Sequence, residues 1–216
     1  MHIATGSKAL DALLGGGIRT GMLTDVYGPS GSGKSQLCFT LCANCAHAGN
    51  SICFIDTTGT FRPERISEIA GTKDVLDDIT VVRALNTEDQ VAALDKAINA
   101  DAALVVVDSL TSLFSAEYLG PSRHLAVMSH MHALALLAIN APCAVVATNM
   151  VRAVPQENDK GMEREYLSGT VSIHAHVRVK FEIENATKSS YKATLVQPPG
   201  GSARFSIAKN GISDAD

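Results

Sequence analysis

The 216 residues contain no tryptophan, and only six Phe and four Tyr. Flat rings on which nucleobases stack are therefore scarce. Cations are in deficit as well: 18 Lys and Arg face 22 Asp and Glu, a formal charge of −4. That balance excludes a uniformly basic nucleic-acid coat, though not a local basic patch. No apolar run approaches the roughly 20 residues that span a bilayer. The longest, near 102–107 and 133–139, stop at Asp108 and Asn140. Met1–Lys8 carries no apolar segment of the signal-peptide kind. A soluble, cytoplasmic chain is the expectation. Cysteines are few and odd in number, five, which argues for reduced thiols rather than a disulfide framework. Cys38, Cys42 and Cys45 share one helix stripe with apolar residues. No second Cys-x-x-Cys accompanies Cys42–Cys45 to close a zinc site, so core packing is expected.

What is present is an apolar content of 46 %, ordinary for a folded chain. The length suits one domain spanning 1–216. Apolar runs alternate with helical patterns. Strands are predicted at Met22–Tyr27, Ser51–Asp56, Ile79–Val82, Ala103–Asp108 and Ala144–Asn149. Helices are predicted at 34–48, 63–70, 87–99 and 122–140. This alternation implies an α/β fold, a mostly parallel sheet covered by helices on both faces. After residue 150 the pattern changes. A polar stretch, 152–168, precedes runs that alternate by two at 173–183, 190–197 and 203–208, predicting C-terminal antiparallel strands.

Gly28, Pro29, Ser30, Gly31, Ser32, Gly33, Lys34 and Ser35 fit G-x-x-x-x-G-K-[ST] in full. The motif lies between a predicted strand and a predicted helix, the context its mechanism requires. Glycines let successive N–H groups turn toward phosphate oxygens, and the helix N-terminus adds positive potential. Lys34 would reach the β- and γ-phosphates, and Ser35 would ligate Mg²⁺. Asp108 closes a buried strand at the sheet edge where ligands of α/β folds bind. It would hold the same ion through water.

Further segments narrow the reading. They are Thr5-Gly-Ser-Lys-Ala-Leu-Asp11, Leu14-Gly-Gly-Gly-Ile18, Phe54-Ile-Asp-Thr-Thr-Gly-Thr-Phe-Arg-Pro-Glu-Arg65, Val107-Asp-Ser-Leu-Thr111 and Ala147-Thr-Asn149. Together they resemble the RecA/RadA recombinase family, and within it the short archaeal RadB paralogues. The resemblance implies a RecA-like P-loop core without an N-terminal DNA-binding domain. It implies ATP and Mg²⁺ as cofactors, with Gln36 joining the nucleotide-binding stretch. It also implies work in homologous recombination and DNA repair. The partners it implies are single-stranded DNA, bound weakly, and RadA-type recombinases or other repair proteins. The protein would be a monomer or small homo-oligomer. Segments 115–124 and 150–168 resemble the family's two DNA-binding loops, and His174 matches a family histidine near the DNA and nucleotide interface.

Two residues depart from the family pattern. Thr58 stands where the family has the Glu that polarises the attacking water. A threonine hydroxyl is no base at neutral pH, and losing a general base commonly costs about 10²–10⁴-fold. Binding should persist while hydrolysis becomes slow. Met150 replaces an amide that would relay the γ-phosphate to the DNA loop, and it offers no donor. Phe205-Ser-Ile-Ala208 resembles the family's subunit-docking letters but falls in a predicted strand, so it reads as core.

Charge is unevenly placed: residues 120–210 hold ten Lys and Arg against six Asp and Glu. Candidate DNA contacts are Arg123, Arg152, Lys160, Arg164, Arg178, Lys180, Lys188 and Lys192, with Arg204 and Lys209 on the same strands. His124, His130 and His132 fall on one predicted helix and are expected to be partly exposed. His174 and His176, two apart on a predicted strand, would share a face. Two other functions fit the same motifs: a catalytically silent adaptor for RadA-type partners, and a signalling ATPase of the KaiC kind. The Phe61–Arg65 segment argues against the latter.

Overall fold

The computed structural model describes residues 1–141, 143–154, 162–165, 167–187 and 189–215, with backbone alone at 152–154, 162–165 and 168. The chain opens with β1 (His2–Ile3), α1 (Lys8–Leu13) and β2 (Ile18–Arg19), the two short strands pairing antiparallel. Next come β3 (Leu23–Gly28), α2 (Lys34–His47), β4 (Ile52–Asp56), α3 (Pro63–Ala70), β5 (Ile79–Arg83) and α4 (Thr87–Asn99). Then follow β6 (Leu104–Asp108), α5 (Ser112–Glu117), α6 (Gly120–Asn140), β7 (Ala144–Val154), β8 (Met162–Glu165) and α7 (Ser168–His174). The chain ends in β9 (Val177–Asn185), β10 (Ser190–Gln197), β11 (Ser202–Ala208) and β12 (Gly211–Asp214).

The main sheet runs β5-β4-β6-β7-β3-β9-β10-β11-β12. It is parallel from β5 through β9 and antiparallel from β9 to β12. This is the expected α/β, RecA-like architecture. Residues of period two send alternate side chains to opposite faces. Ile52, Phe54, Leu104 and Val106 face α1–α3, whereas Cys53, Ile55, Val105 and Val107 face α4, α6 and α7. Each central strand is thus apolar throughout because both its faces are covered. All five cysteines are free and buried in these two cores. Burial pushes Cys45, Cys53 and Cys143 each up to about 11, so they remain thiols.

The structure corrects several expectations. Residues 173–176 are not strand. Val171 and Ala175, four apart, are both buried, while Ile173 is 66 % exposed. That is helical spacing, and α7 covers it. His174 therefore ends a helix and His176 precedes β9, so they share no strand face. His130 is buried at 2 % exposure, not partly exposed. Phe205, in β11, is fully buried as expected, whereas Ser206 and Ile207 are half-buried and Ala208 is exposed, so only the first of the docking-like letters lies in the core. No helix among the described residues is long and apolar enough to cross a membrane.

Candidate functional site

The parallel register aligns Asp56 with Asp108 and Gly28 with Met150. The C-terminal ends of β3, β4, β6 and β7 thereby share one edge. There they border a cavity of about 770 Å³ whose walls include Ser35, Thr58, Arg62, Asp108, Met150 and Tyr191.

The loop from Gly28 to Lys34 is bent by need. Gly33 has φ +95°, a left-handed conformation that L side chains resist. A Cβ on Gly28 would overlap the Phe181 carbonyl of β9. Lys34 Nζ donates to the Gly28 and Pro29 carbonyls, each at 2.8 Å. Burial pushes its pKa down, while the Asp108 carboxylate pulls it up. Ser35 Oγ donates to Asp108 Oδ2 at 2.7 Å, and Thr148 Oγ1 donates to Asp108 Oδ1.

A phosphate and a hard cation fit this edge. Ser32 Oγ is buried within the loop and has no hydrogen-bond partner among the described residues. Ser35 and Asp108 offer adjacent oxygens, the donor type Mg²⁺ prefers. Thus the structure gathers Ser32, Lys34, Ser35 and Asp108 at one point, as their sequence context implied. Gln36 begins the outer wall of the same cavity.

Thr58 sits on the exposed rim, its hydroxyl 2.8 Å from that of Thr60. Asp56, two residues earlier, is already engaged. Its Oδ1 accepts from the backbone N–H of Thr58 (3.1 Å), Gly59 (2.8 Å) and Thr60 (3.2 Å). Its Oδ2 accepts from Phe61 N–H at 3.3 Å and pairs with Arg83 at 3.0 Å. A carboxylate so occupied holds a turn rather than a water.

Other cavity residues were not anticipated. Tyr191 of β10 and Ile207 of β11 line its outer wall. They arrive from strands more than 150 residues downstream of the loop, so no local motif could reveal them. Arg65 bonds Gln36 Oε1 (2.9 Å) and the carbonyls of Ala208 (2.6 Å) and Lys209 (2.7 Å). It ties α3 to α2 and to the β11–β12 turn. Only its place in the Phe61–Arg65 segment hinted at a role.

Among the described residues, the basic candidates do not form one surface. Arg178 is 5 % exposed, and its Nε donates to the buried Asp25 at 3.1 Å. Its guanidinium also lies over Tyr27, 5.0 Å from the ring centroid. A cation held inside the sheet cannot reach a phosphate backbone, which corrects its reading as a surface residue. Lys180 pairs with Glu182 at 2.7 Å, and Arg204 with Glu184 at 2.8 Å. Lys192 is half-buried, opposite Glu182 and Arg204 in the ladder. Arg123 Nε donates to the Tyr118 carbonyl at 2.7 Å, at the end of α5. Lys160 and Lys188 lie outside the described residues. Arg152 and Arg164 are register partners in the β7–β8 ladder, and their side chains are outside the description. Lys209 is exposed at the β11–β12 turn.

Comparison with known proteins places this geometry. A family model described as Rad51 matches residues 1–215. The "DNA repair and recombination protein RadA" of Cenarchaeum symbiosum is 36 % identical over 237 aligned positions, covering 99 % of this chain and 59 % of the relative. The protein of the same description from Metallosphaera sedula is 37 % identical over 244 positions, covering 99 % of this chain and 72 % of the relative. The chain thus spans about three fifths of the first relative's length.

Proposed function

The chain belongs to the Rad51 family, and from that premise we propose that it is an ATP-binding accessory protein of DNA recombination and repair that hydrolyses ATP slowly. One observation carries the slow step: Thr58 stands on the cavity rim where a base is needed, and the nearest carboxylate, Asp56, is bound by four backbone N–H groups and Arg83. The departures at Thr58 and Met150 support a place among the RadB-type branch.

When bound, Mg²⁺ would neutralise charge on the β- and γ-phosphates. Ser35 and Asp108 would hold it. Lys34 would exchange its two loop carbonyls for phosphate oxygens, and the buried Ser32 hydroxyl would gain an acceptor. Gln36, Arg65, Tyr191 and Ile207, on the outer wall, would meet the rest of the nucleotide. Water beside Thr58 and Thr60 would meet hydroxyls that take no proton at neutral pH, and the described carboxylates of the cavity, Asp108 and Glu68, are held by Ser35 and Thr148 and by Arg65.

The test is nucleotide binding and turnover, measured with and without single-stranded DNA. Tight binding is expected, with turnover well below the roughly 1 s⁻¹ that begins the range of phosphoryl-transfer enzymes. Thr58→Glu is expected to raise turnover by about 10²–10⁴-fold. Wild-type turnover at 1 s⁻¹ or above refutes the reading of Thr58.

A second reading has its own observation. Met150 lines the cavity and is 46 % exposed. It presents a thioether where a relay to DNA would need a donor. This supports an adaptor whose nucleotide is structural and whose partner is a RadA-type recombinase. Unchanged turnover in Thr58→Glu selects the adaptor.

A further inference from the structure

Away from the phosphate loop, α7 packs along α6 through two histidine contacts. At one end His124 Nδ1 lies 2.8 Å from Thr170 Oγ1. At the other the His132 and His174 rings approach to 5.4 Å between centroids, tilted by 60°. His132 is exposed and His174 partly so. Neither of these two rings has a hydrogen-bond partner among the described residues.

Two imidazoles this close, neither hydrogen-bonded within the described residues, leave ring lone pairs uncommitted. Partial burial, and after it the neighbouring His132, hold the His174 pKa below its ordinary value. A shared cation would engage a lone pair on each ring. The spacing suits it. Zn–N bonds of about 2.0–2.1 Å at a tetrahedral angle place two ring centroids roughly 5 Å apart. The observed 5.4 Å and open tilt lie close to that.

We propose that His132 and His174 form a two-histidine site for a borderline divalent transition metal of the zinc class, bridging α6 and α7. Neutral imidazole is a preferred ligand of such ions, whereas Mg²⁺ and Ca²⁺ favour oxygen. No group of three or more His, Cys, Asp or Glu able to hold a metal occurs among the described residues. Among the described residues the pair is the protein's contribution, and water completes the four-coordinate shell. The ion would cross-link α7, which leads into β9, to the long helix packed on the sheet. The site lies apart from the Ser35–Asp108 pair and draws on different ligand chemistry.

The test uses the full chain without nucleotide, titrated at pH 7.5 with Zn²⁺ against a chromogenic chelator. One Zn²⁺ per chain is expected. His132→Ala and His174→Ala should each weaken it at least tenfold, while His124→Ala leaves it unchanged. Zn²⁺ should raise the melting temperature of wild type and not of His132→Ala, whose exposed position spares the fold. Wild-type affinity should fall on moving to pH 5.5, because both ligands must be deprotonated. Equal affinity in wild type and His132→Ala overturns the proposal, as does binding abolished by thiol alkylation rather than by either histidine variant.

Discussion

His130 shows how far a residue's chemistry depends on what touches it. Gln90 Nε2 donates to the Leu110 carbonyl at 3.0 Å and lies 3.2 Å from His130 Nε2. An amide nitrogen can only donate, so Nε2 accepts and the ring proton sits on Nδ1. A second proton would face that donor inside the core. Burial accordingly pushes the His130 pKa down to about 4. The unfolded chain takes up this proton near pH 6.5, whereas the folded chain resists until about pH 4. Stability is therefore full above pH 6.5 and declines as pH falls through that window. The loss is expected to reach roughly 3 kcal/mol. Urea midpoints at pH 7 and pH 4.5 should differ less in His130→Met than in wild type. The sequence placed His130 on a helix but not its face toward the core. Its neighbours Met131 and Leu134 are buried while Ser129 and His132 are exposed, and only packing against α4 and α5 decides which polar residue turns inward.

At the level of elements, the phosphate loop and the strands beside it were legible because they obey local rules. Glycine is required where φ turns positive, and apolar runs are required where both faces of a strand are covered. The turn after β4 was legible only as a motif. Its organisation around Asp56 came from the fold. Gly59 has φ +76°, and a Cβ there would lie 2.7 Å from the Arg83 guanidinium. Asp56, Gly59 and Arg83 thus act as one unit that presents Thr58. Asp56→Ala would strand four N–H groups and the arginine. Losing an acceptor for several partly buried donors costs about 2–3 kcal/mol. Denaturant unfolding should record that loss. Hydrogen exchange should speed at residues 58–61, and Asp56→Asn, which keeps an acceptor, should lose less. The helix α7 was missed for the opposite reason. Seven residues with interspersed apolar side chains satisfy a period of two almost as well as one of 3.6, and burial of Val171 with Ala175 arbitrates.

Across the whole molecule, the basic excess after residue 120 divides once the chain is folded. Arg178 belongs to the interior, and Lys180 and Arg204 have acidic partners. Arg178→Ala should therefore destabilise the fold by roughly 3–5 kcal/mol, the cost of leaving one charge of a buried pair alone. Lys192→Ala should leave unfolding unchanged. It should weaken single-stranded DNA binding alike across sequences and lower the salt slope by about 1. Anisotropy titrations at two salt concentrations and urea unfolding separate the two outcomes, and DNA affinity indifferent to salt would refute a phosphate-binding role for Lys192. By itself the sequence determined the α/β class and the glycine-rich loop with Lys34 and Ser35, since each rests on residue type and local spacing. The tertiary structure alone decided which charges meet solvent, that Asp56 holds the turn before Thr60 together with Arg83, that Tyr191 and Ile207 wall the cavity, and that His132 meets His174. Those outcomes depend on contacts between segments far apart in the chain, and no local pattern of residues carries the distance between them.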